Sequence, residues 1–284
     1  MPHTYSWQHT IHNYEGDAWG QLRPSGILRL LERSATVAAA DAGYGDEFHA
    51  RHGTAWVIRR MTMLLPSVAH SGDDLEITTW PSHFVRVRGG REYRVHNLVT
   101  DRQIAGAIAE WVYIDRGTGA PRAIPRDLAV DFDVPGAPLG NYDSPPVAPP
   151  GIPRGFVDTR RAEWYEADAM GHINNAIYAD WLDAAVRSAM EEMGWPVARF
   201  KSEGYQLKAE YLFLDYKRPA MPGERLLIVT RLVGMEGRLC AVSQSIMRAE
   251  DSAQVVAAEY VYGWADDTGA PSDAPPGWFG LSQT

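Results

Sequence analysis

The chain has 284 residues, 45% of them hydrophobic, so it can bury one large core or two of ordinary size. A net charge of −9 argues against a general nucleic-acid binder, because displacing counterions from phosphate needs clustered Lys and Arg. The single cysteine, Cys240, excludes an intramolecular disulfide framework and any multi-cysteine metal site, and it fits a reducing, cytoplasmic setting.

Met1 to Thr10 carries no basic region followed by an apolar stretch, and no run approaches the ~18 apolar residues of a membrane helix, so a soluble, unprocessed protein with no membrane partner is expected. A strand leads into a first long helix, with Pro24 in its opening turn, an apolar stripe of Ile27, Leu28, Leu31 and Ala35, and Gly43 as its stop. Strands are expected over 55–65, 74–80, 85–98 and 105–115, since these stretches are β-branched and aromatic and are broken by Gly and Pro. His49 and His52 fall in a polar loop without matched ligands, and no metal site or cofactor is expected. A proline-rich linker over 135–155 separates a first unit, 1–134, from a second, 156–284. The second long helix has Asn175 as its N-cap, a stripe of Ile177, Trp181, Ala185 and Ala189, and Gly194 with Pro196 at its end. Further strands follow over 206–216, 225–232, 238–248 and 254–264.

The two units repeat. Tyr14-Glu15-Gly16-Asp17-Ala18-Trp19-Gly20-Gln21-Leu22 falls on Tyr165-Glu166-Ala167-Asp168-Ala169-Met170-Gly171-His172-Ile173 without gaps, an offset of 151. The same offset places Leu31 on Leu182, Glu32 on Asp183 and Gly43 on Gly194. With a slip of one or two residues it continues to Thr118-Gly119-Ala120-Pro121 and Thr268-Gly269-Ala270-Pro271. A long helix followed by an antiparallel meander, twice over, predicts an α+β fold in which each sheet wraps its own helix.

Asp168 and His172 stand four residues apart just before the second helix, where unpaired backbone N–H groups favour a carbonyl oxygen gaining negative charge. The competing reading makes Asp168 and Asn175 caps and leaves His172 packed or exposed. The repeat weighs against it: copy one keeps Asp17 and Gly20 but has Gln21 in place of His172, so the turn folds without an imidazole. Cys240 lies in a strand pattern with no nearby His and reads as core. Four arginines, Arg86, Arg88, Arg91 and Arg94, gather about a hairpin and are either an ordinary solvated face or a contact for an acidic carrier or phosphate. Trp56, Trp80, Trp111, Trp164 and Trp181 are expected in the cores, some of them lining an apolar channel.

Several of these stretches resemble the acyl-acyl-carrier-protein thioesterase family. In copy one they are Ala55-Trp56-Val57-Ile58-Arg59-Arg60-Met61, Thr79-Trp80-Pro81 with Arg91-Glu92-Tyr93, and Trp111-Val112-Tyr113-Ile114-Asp115 followed by Pro121-Arg122. In copy two, His172-Ile173-Asn174-Asn175-Ala176-Ile177-Tyr178 followed by Trp181 is similar to that family's H-V-N-N-x-x-Y-x-x-W signature. The resemblance implies a tandem (double) hotdog with the acyl pocket in the first unit, hydrolysis of fatty acyl-acyl-carrier-protein to free fatty acid in fatty acid biosynthesis, and no cofactor. It carries catalytic roles onto Asp168 and His172, with backbone groups at Gly171 and His172 holding the oxyanion and Asn174 and Asn175 at the helix start. Arg86, Arg88 and Arg91 would meet the acyl carrier protein.

Two positions depart from the family pattern: Met170 stands where an Asn is usual, and Pro219 where a Glu is usual. Asp168-Ala169-Met170-Gly171-His172 also satisfies the D-x-x-G-H pattern of single-hotdog enzymes that act on coenzyme A esters, of the 4-hydroxybenzoyl-CoA thioesterase type. A non-catalytic acyl-binding protein is the further alternative. A hotdog hydratase is disfavoured, since its D-x-N-P-x-H pattern is absent. Because the tandem copy can cover the site within one chain, a monomer is feasible and a dimer remains open.

Overall fold

The computed structural model describes residues 3–134, 136–144, 154–276 and 278. In copy one the elements run β1 (Tyr5–Thr10), α1 (Pro24–Asp41), α2 (Asp46–His52), β2 (Thr54–Leu64), β3 (Asp74–Val85), β4 (Arg88–Asn97), β5 (Arg102–Asp115) and α3 (Arg126–Asp131). Copy two runs β6 (Arg154–Arg161), α4 (Asn175–Glu192), α5 (Val197–Ser202), β7 (Tyr205–Tyr216), β8 (Arg225–Glu236), β9 (Leu239–Arg248) and β10 (Gln254–Asp266). The fold is the expected α+β tandem hotdog.

The two sheets are continuous. All ten strands form one antiparallel sheet in the order β1-β3-β4-β5-β2-β7-β10-β9-β8-β6, which reads the same way outward from the central β2–β7 pair. That pair joins the copies in the register Arg60 to Asp215 through Leu64 to Tyr211. The long helices lie together rather than each alone in its own sheet: Ser25 Oγ and Arg29 Nη2 of α1 donate to the two carboxylate oxygens of Asp180 on α4, at 2.5 and 2.6 Å. Leu31 and Leu182, equivalent in the repeat, are both fully buried in one hydrophobic cluster that runs through both halves. Burying each contributes roughly 1.5–3 kcal/mol.

Several strands outrun their sequence patterns, for a reason common to both copies. β3 continues past Trp80 because Pro81, which has no N–H to give, sits at a register shift where β1 has already ended and only β4 remains as neighbour. β8 likewise continues past Leu232, through a shift at Gly234 beyond the end of β6. The short helices α2, α3 and α5 carry no clear apolar period. His49 and His52 therefore lie on α2, which Gly53 closes in the left-handed conformation (φ 62°), rather than in a loop.

The second helix begins one residue earlier than expected. Asn174, in extended conformation, accepts the Ala176 N–H on its Oδ1 at 2.9 Å and is the N-cap, while Asn175 is the first helical residue. Trp164 is not a core residue but 79% exposed. Trp80 and Trp181 are buried as expected, and so is Cys240, whose thiol burial pushes up to about 12. Leu139 N, Gly140 N and Tyr142 Oη all donate to the Glu92 carboxylate, anchoring the start of the linker on copy one; 145–153 lie outside the described residues. Among the described residues no helix is long and apolar enough to cross a membrane.

Candidate active site

Asp168 to His172 form a tight turn between β6 and α4. Asp168 N donates to His172 O at 2.9 Å and Gly171 N returns to Asp168 O at 3.0 Å, with Gly171 at φ 83° as such a reversal requires. The turn holds the Asp168 side chain by one oxygen, since Oδ1 accepts the Met170 N–H at 2.8 Å. The other oxygen, Oδ2, lies 3.5 Å from His172 Nδ1, which is sealed from solvent and has no closer partner. The sequence pair is thus brought together, with the imidazole edge toward the carboxylate.

Copy one builds the same turn differently. Asp17 Oδ1 there accepts both Trp19 N–H and Gln21 N–H, at 2.8 and 3.0 Å, and the Gln21 side chain donates to Gln206 at 2.6 Å. Among the described residues the corresponding backbone amide of copy two, His172 N–H, makes no hydrogen bond and is free to donate. Gly171 N–H, expected as a second oxyanion donor, is spent on Asp168 O instead.

Asp168, Met170, His172 and Asn175 open onto a cavity of about 940 Å³, at the upper end of the range for small-molecule sites. Most of its wall comes from copy one, including Ala35, Trp56, Phe84, Trp111, Leu128 and Phe132. The cleft beside Asp17 and Gln21 holds only about 40 Å³. In copy two the comparable interior is filled by Trp195, Phe200, Trp264 and Trp278, packed ring against ring. The large cavity is therefore walled chiefly by one copy, with the Asp/His pair of the other copy at its edge.

The arginines separate. Arg86 and Arg88 are exposed at the β3–β4 turn, where Arg88 faces Glu110 at 3.6 Å. Arg91 is only 9% exposed, lines the cavity and donates to Thr79 Oγ1 at 3.3 Å. Its place is therefore inside the molecule and not on a surface open to a carrier. Pro219 also lines the cavity, and the neighbouring Ala220 is tied down on both sides: its N–H donates to Tyr178 Oη at 2.9 Å and its carbonyl accepts from Ile173 N.

Residues 2–132 match the family model of the acyl-ACP thioesterase N-terminal domain, and residues 162–279 match the thioesterase-like superfamily. Both halves of the chain are therefore thioesterase-like domains, the first of them similar to the acyl-ACP thioesterase N-terminal domain. A chloroplastic palmitoyl-acyl carrier protein thioesterase of Arabidopsis thaliana is 23% identical over 268 residues, which cover 87% of this chain and 61% of that protein. The chain thus spans about three fifths of the length of this curated relative. Among solved structures, a putative oleoyl thioesterase from Lactobacillus plantarum superposes with a TM-score of 0.78 at 16% identity, over 95% of this chain and 98% of that one. An acyl-ACP thioesterase from Bacteroides thetaiotaomicron gives 0.73 at 17% identity, over 91% and 97%. These likenesses establish the double hotdog fold.

One residue at the site is not evident from motifs. Glu32, on α1 of copy one, lines the same cavity as Asp168 and His172. Both of its carboxylate oxygens accept from Asn174 Nδ2, at 3.1 and 3.0 Å. Burial raises its carboxyl above the ordinary glutamate value, the Asp168 charge pushes the same way, and the Asn174 hydrogen bond and Arg29 oppose. The sequence does hold one signal: Glu32 and Asp183 occupy equivalent positions, so an acid recurs on both helices, and only copy one's faces the large cavity.

Proposed function

We propose that this protein hydrolyses fatty acyl thioesters, releasing a fatty acid and the thiol of an acyl carrier protein, in the cytoplasm. The observation that carries this reading is the Asp168/His172 pair at the edge of a cavity walled largely by apolar and aromatic side chains. A carboxylate beside an imidazole supplies acyl-transfer chemistry, and the cavity supplies room for the chain.

Two routes are open to Asp168. It takes a proton from water, whose oxygen then attacks the thioester carbonyl carbon, or it attacks that carbon itself and forms an anhydride. In either case the developing oxyanion is served by the free His172 N–H beside the start of α4, and the C–S bond breaks to release the thiol. His172 orients the carbonyl or the water, and Asn174 and Asn175 hold the helix start in place. Both copies contribute within one chain, so a monomer is sufficient. A single turnover in heavy-oxygen water tests the reading: the label entering the fatty acid or Asp168 supports hydrolysis, and label in neither contradicts it.

Coenzyme A thioesters are the second substrate class, favoured by the D-x-x-G-H spacing and by Met170, which offers Asp168 only its backbone N–H. The exposed Arg86 and Arg88 distinguish the carriers, because an acidic protein meets their charge over a broad surface and coenzyme A only through its phosphates. Replacing both by Ala is expected to lower kcat/KM for carrier-protein substrates several-fold and for coenzyme A substrates by less. Equal effects on the two would make these arginines an ordinary solvated face.

A further inference from the structure

Glu32 gives the site a second carboxylate, contributed by the other copy of the repeat. It faces the cavity from α1, and among the described residues no Arg or Lys pairs with it, since the Arg29 guanidinium on the same helix is engaged by Asp180. An ionised carboxylate has about four acceptor positions, and the Asn174 amide occupies only part of them. The same Asn174 caps α4 with its Oδ1, so Glu32 is locked to the helix that follows the Asp168–His172 turn. The charged or titratable groups that bear on it are Asp168 and Arg29, with the Tyr93 and Tyr216 hydroxyls beyond.

We propose that Glu32 is the general base for the hydrolytic water, with Asp168 as the nucleophile. This rests on the thioester-hydrolase reading above. Asp168 Oδ2 attacks the carbonyl carbon, the C–S bond breaks, and the thiolate takes up a proton from solvent. Glu32 then removes a proton from a water whose oxygen attacks the anhydride, releasing the fatty acid and regenerating Asp168. The proton on Glu32 returns to solvent.

The division of labour follows from the two environments. Asp168 is held in the turn by a backbone N–H on one oxygen, which leaves its other oxygen, beside the imidazole, placed to attack. Glu32 is the more enclosed group, and burial strengthens its carboxylate as a proton acceptor toward neutral pH. It also supplies the acid that Pro219 cannot, from the part of the same cavity wall that copy one contributes.

The test is thiol release and product formation by Glu32→Gln, which preserves the acceptor for Asn174, measured beside the wild type. Expected is a burst of about one thiol per protein, a steady rate about 10²-fold lower, and an acyl adduct on Asp168. In the wild type, steady-state kcat should fall with acid through a limb above the ordinary glutamate value of 4.5, because the base works only when deprotonated. Glu32→Ala should regain turnover in formate, whose carboxylate fits the space left, whereas Glu32→Gln should not. Wild-type turnover in Glu32→Gln, loss of burst and steady state together, or no formate rescue and no acid limb would each overturn the role of Glu32 alone. A wild type that releases no thiol overturns the hydrolase reading and this one with it.

Discussion

Replacing Asp168 by Asn is expected to lower kcat/KM for thioester hydrolysis by at least about 10²-fold, or about 2.7 kcal/mol of transition-state stabilisation. The substitution is nearly isosteric and keeps an oxygen to accept the Met170 N–H, so the turn stays folded. What it removes is the negative charge 3.5 Å from His172 Nδ1 and the only acid of the turn. Asn is a poor base and a poor nucleophile, so both routes proposed for Asp168 fail together. An unchanged thermal midpoint with the rate lost places the effect in the chemistry. Full activity would remove Asp168 from the site even with the fold intact.

The loss of His172 should be of similar size, and the repeat supplies an unusually direct control. Copy one folds the same turn around Gln21, so His172→Gln should keep the fold and its stability while kcat falls by at least about 10²-fold. His172→Ala should lose as much activity, with some added cost from the space it leaves in the cavity wall. If His172→Gln retains the wild-type rate, the imidazole is a packing group, and the asymmetry between Gln21 and His172 is no more than drift between the copies.

The double hotdog, the succession of its long helices and strands along the chain and the Asp168/His172 pair were legible because each leaves a local trace. Helical and strand periods mark the elements, and the repeat exposes the one turn where copy two gains an imidazole. The features that escaped depend on three-dimensional neighbours. Pro81 reads as a strand terminator until the absence of β1 beside it shows that its missing N–H costs nothing there. Asn174 and Asn175 are equally good caps in sequence, and only the register of α4 decides for Asn174. Arg91 shares a basic run with Arg86 and Arg88, yet strand alternation and the β4 position turn it into the cavity. Glu32 lies far from the motif in sequence and meets it only because the joined sheets bring α1 against α4.

The asymmetry has a physical basis in the interiors of the two copies. Where copy two packs Trp195, Phe200, Trp264 and Trp278 together, copy one places Trp56, Phe84 and Phe132 around open space. Duplication thus allows one copy to spend its aromatic residues on packing and the other to line a pocket. The joined sheet then holds the pocket of one against the Asp/His turn of the other.

The most direct measurement is thiol release by the wild-type protein from a panel of acyl chain lengths, each offered on an acyl carrier protein and on coenzyme A. Saturable turnover with matching fatty acid release is expected, strongest at the chain length that fills the cavity. No turnover above buffer for any chain on either carrier would contradict thioester hydrolysis.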